Sequence, residues 1–297
     1  MPVTTEPFRC GAIALIGRPN VGKSTLLNAL LGQKLSITSR KPQTTRHRIR
    51  GILSRSEAQF IFLDTPGFQT RHGSALNRLM NRAVHGALGE VDAVLLVVEA
   101  GHFGAEDRAL VKLVQPGIPL ILAVNKTDRV SPGALMPFLQ LCAKEAAFAE
   151  IVPVSARRRK GLDELLRALR SHLPEQAAMH ALDALTDRDE RFLASELLRE
   201  KLFRLLGEEL PYGAGVAIEK FEEKGKLRRI HASIVVEKES HKAIMIGAGG
   251  GKLKEIATAA RIDMEKMFGG KVYLEVWVKV RRGWTDDKAS LRQLGYE

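Results

Sequence analysis

Three short clusters carry residue types able to do chemistry on a nucleotide. The first is Gly17-Arg18-Pro19-Asn20-Val21-Gly22-Lys23-Ser24-Thr25. Its glycines let the backbone wrap closely round phosphate oxygens, Lys23 can reach the β- and γ-phosphates, and the Ser24 hydroxyl can bind Mg²⁺. The second, Asp64-Thr65-Pro66-Gly67, closes an apolar run. Asp64 is placed to hold Mg²⁺ directly or through water, and Gly67, with no side chain, can bring its N–H to a γ-phosphate. The third, Asn125-Lys126-Thr127-Asp128, decides the base. A carboxylate at Asp128 can accept both guanine N1–H and the exocyclic amine, whereas the unprotonated N1 of adenine would leave it unpaired. The stem of Lys126 can lie over the purine face. Asn125 can tie its loop back to the first cluster, and Ser155-Ala156 can present a backbone N–H to guanine O6.

A fourth cluster suits a different ligand. In Gly247-Ala248-Gly249-Gly250, a G-x-x-G turn between two short helices can clamp about four nucleotides through their backbone. The spacing alone means little in a chain with 26 glycines, and Gly86/Gly89 and Gly101/Gly104 share it. Context distinguishes this one: an Ile-rich segment precedes it, Lys252 and Lys254 follow, then an apolar helical pattern and a strand. Lysines beside such a turn meet phosphates without base preference. Tyr273 and Trp277 could stack on bases, but as strand residues they are expected to be packed under a helix instead.

The elements that must position these clusters can be read from apolar runs. Strands are expected at 12–16, 49–55, 59–63, 93–99, 120–125 and 151–155, rich in Val, Ile and Leu without strict alternation, as in strands covered on both faces. Helical spacing lies between most of them, as at Leu162, Leu165, Leu166 and Leu169. This alternation predicts a mostly parallel, doubly wound sheet, with a hairpin between 49–55 and 59–63 that makes one edge strand antiparallel. Residues 174–189, with a proline followed by small, polar and acidic residues, read as a linker. Beyond it the order becomes helix 190–206, strands 216–222 and 228–237, helices 240–246 and 251–267, and strand 272–280. The last strand alternates Val272, Leu274, Val276, Val278 and Val280 with Tyr273, Glu275, Trp277 and Lys279, which predicts a sheet with helices on one side.

Composition bounds the setting. The 297 residues are 45% hydrophobic and 27% charged, which excludes a mainly disordered chain or a fibrous repeat. No apolar run approaches the roughly 18–20 residues of a membrane-crossing helix, residues 1–6 show no export signal, and Cys10 and Cys142 are too few for a disulfide framework, so cytoplasmic residence is expected. The net charge of +12 favours a polyanionic partner. Residues 181–297 hold 22 basic and 20 acidic side chains, so the surplus lies earlier, in Arg40-Lys41, Arg46-His47-Arg48 and Arg157-Arg158-Arg159-Lys160.

The nucleotide clusters, in this order and each at a strand's end, resemble the translation-factor-related GTPases. The helix–strand–strand–helix–GxxG–helix–strand layout resembles a type II KH domain. Together, with Gln43-Thr44-Thr45-Arg46-His47-Arg48 and the tail from Gly283-Trp284 to Leu294-Gly295-Tyr296, they resemble the Era family of GTPases over nearly the whole chain. The resemblance implies an α/β fold: an Era-type GTPase domain over 1–175, a linker over 176–189, and a smaller α+β KH domain with a C-terminal tail over 190–297. It implies GTP/GDP and Mg²⁺ as ligands, with Thr45 rather than Thr44 binding Mg²⁺ when the γ-phosphate is present. Lys23, Thr45 and Gly67 are the expected catalytic residues. It also implies binding to the 3′ end of 16S rRNA, a part in 30S subunit assembly, peripheral association with the inner membrane, and a monomer. Phe68 stands where signalling GTPases carry a water-positioning glutamine, so unaided hydrolysis is expected to be slow, on the order of 10⁻⁴ to 10⁻² s⁻¹. Asn20 is shared with relatives that place K⁺ beside the phosphates. The GxxG turn departs from the family in having Ala248 and Gly249, not a basic residue, at its centre, which leaves Lys252 and Lys254 as the nearest cations. Two other readings are a membrane-linked regulatory GTPase whose second domain binds protein or lipid, and an ATP-using P-loop kinase, which Asp128 disfavours.

Overall fold

The computed structural model describes residues 7–39, 41, 45–67, 75–207 and 210–296. Thr44 and Phe68 lie outside them. The described residues cluster into two units.

The first unit is built on strands β1 (Arg9–Ile16), β2 (Ile49–Ser54), β3 (Ala58–Asp64), β4 (Ala93–Glu99), β5 (Leu120–Asn125) and β6 (Glu150–Pro153), in the order β2-β3-β1-β4-β5-β6. Only β2 runs antiparallel, paired to β3 from Ile49↔Asp64 to Ser54↔Gln59, as the short gap between them requires. The helices are α1 (Lys23–Leu31), α2 (Ala75–Leu88, part of this unit from Met80 onward), α3 (Ala105–Val111), α4 (Pro132–Glu145) and α5 (Leu162–Arg170). All seven residues of β3 and all six of β5 are buried. This double-sided burial is why these strands read as continuous apolar runs. The helices cover the sheet through stripes such as Leu162, Leu165, Leu166 and Leu169. Because β3, β1, β4, β5 and β6 are parallel, their carboxyl ends lie along one edge, where open α/β sheets bind ligands.

The second unit comprises α6 (Glu190–Leu205), β7 (Ala214–Lys224), β8 (Leu227–Val236), α7 (Glu239–Ile246), α8 (Gly251–Phe268), β9 (Lys271–Val280) and α9 (Lys288–Gln293). Its sheet runs β7-β8-β9, with β7–β8 antiparallel and β8–β9 parallel. A parallel pair cannot be closed by a tight turn, so α7 and α8 form the crossover. Ile230, Ala232, Ile234, Val272 and Val278 pack with Leu197, Leu198, Met245, Ile256 and Met264 from the helices in one core.

Two features differ from the expectation for the linker and the strand aromatics. Residues 174–187 lie along the first unit: Cys10 N–H donates to Pro174 O, Ile52 N–H to Leu185 O, and Gly51 bridges Thr186. The apolar set of β9 faces the helices, and Tyr273 and Trp277 fall on the opposite face, Tyr273 with 52% of its surface exposed. Strict alternation places them there, since neighbouring strand residues point to opposite faces.

Candidate nucleotide site and glycine turn

The first cluster leaves β1 at Ile16 and enters α1 at Lys23. Gly17 (φ +153°) and Gly22 (φ +101°) adopt conformations that side chains disfavour; a Cβ would meet Val97 O at 2.5 Å in one case and Asn125 Nδ2 at 2.5 Å in the other. The loop therefore folds as a tight arch whose amides continue into the start of α1, an arrangement that attracts anions. Lys23, 6% exposed, donates from Nζ to Gly17 O (2.8 Å) and Arg18 O (3.0 Å). Burial lowers its pKa to about 8, with Asp64 acting in the other direction. Arg18 is braced by fully buried Asp107, which accepts from Arg18 Nε at 2.8 Å and from Gly104 N–H at 2.9 Å. Asn20, exposed, also has positive φ (+64°).

At the end of β3, Asp64 and Thr65 are fully buried. Thr65 Oγ1 donates to Leu15 O (2.6 Å), fixing the Asp64–Gly67 corner against β1. Gly67 lies against the arch; an added Cβ would stand 3.0 Å from Pro19 Cγ. Ser24 Oγ lies 2.9 Å from Thr45 Oγ1 and donates to Asp64 Oδ2 at 3.1 Å. Two hydroxyls and a carboxylate thus converge, the hard-oxygen donors that suit Mg²⁺ completed by phosphate oxygens and water. Among the described residues there is no cluster of His, Cys, Asp and Glu able to hold a metal by itself.

The base end is equally ordered. Asn125 spans the loops, donating from Nδ2 to Val21 O (2.9 Å) and accepting Ala156 N–H at Oδ1 (3.1 Å). The Ala156 amide assigned to guanine O6 is therefore shared with Asn125. Thr127 anchors its loop on Val154 O through both N–H (3.2 Å) and Oγ1 (3.0 Å). The Asp128 carboxylate is held at Oδ1 by Ser155 Oγ at 2.6 Å, and this hydrogen bond is the main cause of its lowered pKa. Lys126 (φ +64°) donates to Glu99 Oε2 at 2.6 Å.

Sequence reasoning missed Ser36, Asn28, Glu99 and Asp107. Fully buried Ser36 donates to Asp64 Oδ2 at 2.6 Å, and Asn28 on α1 holds that serine's loop by accepting Leu35 N–H (2.8 Å) and Ser36 N–H (2.9 Å). No local pattern marks Ser36. Glu99 could have been found from its place at the carboxyl end of a strand.

The glycine turn is formed as its residues suggest. Gly247, Gly249 and Gly250 have φ of +71°, +56° and +78°, and α8 starts at Gly251. A Cβ on Gly247 would come within 2.7 Å of Lys252 Cβ. Lys252 is paired with Glu255 at 2.9 Å, Lys254 is exposed, and Ile244 beside the turn is 55% exposed. Of the early basic clusters, 157–160 is exposed, whereas Arg46 and His47 are buried and Arg48 meets Glu90 at 3.2 Å. Less of the positive surplus is surface charge than the sequence suggests.

Comparison with known proteins agrees with this geometry. Residues 12–126 match the family described as 50S ribosome-binding GTPase, and residues 209–285 match the KH domain family. The chain is 55% identical to GTPase Era of Nitrosomonas eutropha, over 99% of this chain and all of that one. It is 53% identical to GTPase Era of Chromobacterium violaceum, again over 99% of this chain and all of the relative. Two solved structures superpose with TM-score 0.94 and 37% identity, covering 97% of this chain and 99% of theirs: a single-residue variant of Aquifex aeolicus Era bound to GDP.AlF4-, and Era in complex with MgGDPNP and nucleotides 1506–1542 of 16S ribosomal RNA.

Proposed function

The chain belongs to the Era family of GTPases and hydrolyses GTP, and on that premise we propose that it is a switch that binds the 3′ end of 16S rRNA and assists 30S ribosomal subunit assembly. The observation that carries the nucleotide part is the Asp128 carboxylate, fixed by Ser155 and joined through Asn125 to the arch around Lys23. In this reading the amides of residues 17–25 cradle the phosphates and Lys23 Nζ exchanges its two carbonyl partners for phosphate oxygens. Asp128 receives guanine N1–H and the amine while Lys126 covers the ring. Ser24, Asp64 and Thr45 hold Mg²⁺, which neutralises charge on the β- and γ-phosphates when bound. Gly67 offers its N–H to the γ-phosphate, its approach allowed by the lack of a Cβ beside Pro19. Phe68 supplies no hydrogen bond to water, so turnover is slow without a partner. Asn20 would add a K⁺ ligand; hydrolysis at equal rates in Na⁺ and K⁺ buffers would remove that role.

The domains proposed are 1–175 for GTP and 190–297 for RNA, joined through 176–189. The relative solved with nucleotides of 16S rRNA supports the RNA reading. Gly247–Gly250 would clamp the RNA backbone, with Lys254 and, once released from Glu255, Lys252 meeting phosphates. A monomer and peripheral attachment to the inner membrane complete the proposal; among the described residues no helix is long and apolar enough to cross a membrane.

The test is a filter-binding titration of a 16S 3′-end oligonucleotide over a range of salt, with GDP and with a non-hydrolysable GTP analogue. Tighter binding with the analogue, lost in Gly249→Asp, is expected. The Gly249 Cβ position is open space, and aspartate is among the residues that tolerate its backbone angles, so the substitution adds charge without a clash. Equal binding in both nucleotide states removes the switch, and an unaffected Gly249→Asp removes the glycine clamp.

A further inference from the structure

The face of the β7-β8-β9 sheet turned away from its helices carries residues that the glycine turn does not use. His231 on β8 lies between Tyr273 and Trp277 on β9, with ring centroids 6.1 Å and 6.4 Å away and planes tilted by 53° and 68°, and its Nδ1 lies 3.2 Å from Oε2 of Glu275, which stands between the two rings. Lys279 Nζ lies 5.4 Å from the centre of the Trp277 ring and is paired with Glu219 at 2.6 Å. At the end of the sheet where β9 starts, an open cavity of about 860 Å³ is lined by Lys224, Lys226 and Lys271 from the strand ends and their turns and by Arg261 and Glu265 from α8, the last two paired at 2.8 Å. Lys224, Lys226 and Lys271 form no ion pair among the described residues. The other end of the face is closed by the chain's own tail: Trp284 and Leu294 stand 3.1 Å and 2.8 Å from a Cβ placed on Gly215. The open region is thus two rings flanking a histidine–carboxylate pair, with a cluster of cations at the end of the sheet.

We propose that this outer sheet face is a second binding site for single-stranded RNA, with phosphates in the Lys224/Lys226/Lys271 cavity and bases on Tyr273 and Trp277. Rings on a sheet accept any base, because every base has a π-face, and adjacent lysines follow the backbone. Charge complementarity at the end of the sheet selects this occupant over a protein strand, since four cations ring the cavity around one carboxylate, while Glu275 and Glu219 on the face each have a His or Lys partner. The site is separate from the glycine turn: Gly250 precedes α8, whereas Arg261 and Glu265 of the cavity lie about 15 and 21 Å further along that helix. It rests on the proposed function only for the class of polymer.

The experiment uses the full chain and a 5′-fluorescein-labelled twelve-nucleotide oligouridine, followed by anisotropy in every variant, with tryptophan quenching of the parent as a second readout. Trp284 is fully buried, so quenching reports on Trp277. Replacing Tyr273 and Trp277 together by alanine should weaken binding about tenfold or more. The Tyr273→Phe/Trp277→Phe pair should stay within about threefold of the parent, because stacking needs only the rings. Lys226→Glu/Lys271→Glu, a surface change that spares the sheet, should weaken binding and flatten its salt dependence. Each loss should multiply that caused by Gly249→Asp. Parent-like affinity in both the alanine pair and the glutamate pair overturns the proposal. If Gly249→Asp alone weakens binding, the outer face fails and the glycine clamp stands; if no variant changes RNA binding, both fail. An alanine pair that binds RNA normally but no longer co-sediments with 30S subunits would assign the face to a ribosomal protein and overturn the proposal.

Discussion

The Ser155 hydroxyl donates to Asp128 Oδ1 across 2.6 Å, so the carboxylate proposed to read the base is held in place by its own fold. Hydrogen bonds to charged groups contribute about 1.5–3 kcal/mol, and the partial exposure of this pair favours the lower end. Ser155→Ala should weaken GDP binding on the order of tenfold, by titration calorimetry. Because the bond lowers the Asp128 pKa, guanine binding in the parent should persist at pH values where an ordinary aspartate begins to protonate. In Ser155→Ala the acid limb of the binding curve should move to higher pH.

Lys23 gives a pH signature of opposite sign. Its pKa falls to about 8 because burial disfavours the ammonium. Between that value and the ordinary 10.5 the unfolded chain holds more proton, so this group's contribution to stability rises with pH through that window. Phosphates restore the charge. At pH 8.5, GDP binding should take up a large fraction of one proton, seen as an enthalpy that depends on the buffer's ionisation heat, with almost none at pH 7. Equal enthalpies across buffers at pH 8.5 would refute it.

Ser36 donates to Asp64 Oδ2, the oxygen that Ser24 also reaches. Such supporting partners typically contribute 10–100-fold to metal affinity. Ser36→Ala should therefore raise the Mg²⁺ concentration needed for half-maximal hydrolysis by about tenfold, while GDP binding without metal changes little. An unchanged Mg²⁺ titration would show that Asp64 needs no such brace.

Trp284 anchors the tail. It is fully buried, donates from Nε1 to Gly213 O (3.1 Å) and stacks on Tyr296 at 6.2 Å. Trp284→Ala should destabilise the second unit by about 3–5 kcal/mol, read by chemical denaturation as an earlier transition. GDP affinity, a property of the first unit, should be unchanged.

How much of this was legible beforehand follows from how local each signal is. A glycine forced to positive φ, a lysine one residue before a hydroxyl, and an apolar run ending in aspartate are short-range features; they are what marks Gly22, Lys23, Ser24, Asp64 and Asp128 as candidates for one site. Strand period placed Val272 and Tyr273 on opposite faces, yet which face the helices would cover, and so that Tyr273 stays open, depended on packing across β8.

The amino-acid order by itself determined the two-part architecture, the nucleotide loops and the glycine turn, because each is written in residues adjacent in the chain. Only the tertiary structure decided that Ser36 would hold Asp64, that Glu99 would meet Lys126, and that His231 would sit between two rings of another strand. These partners are brought together by sheet register and loop closure, and a hydroxyl or carboxylate carries no mark in the chain of the distant group it will face.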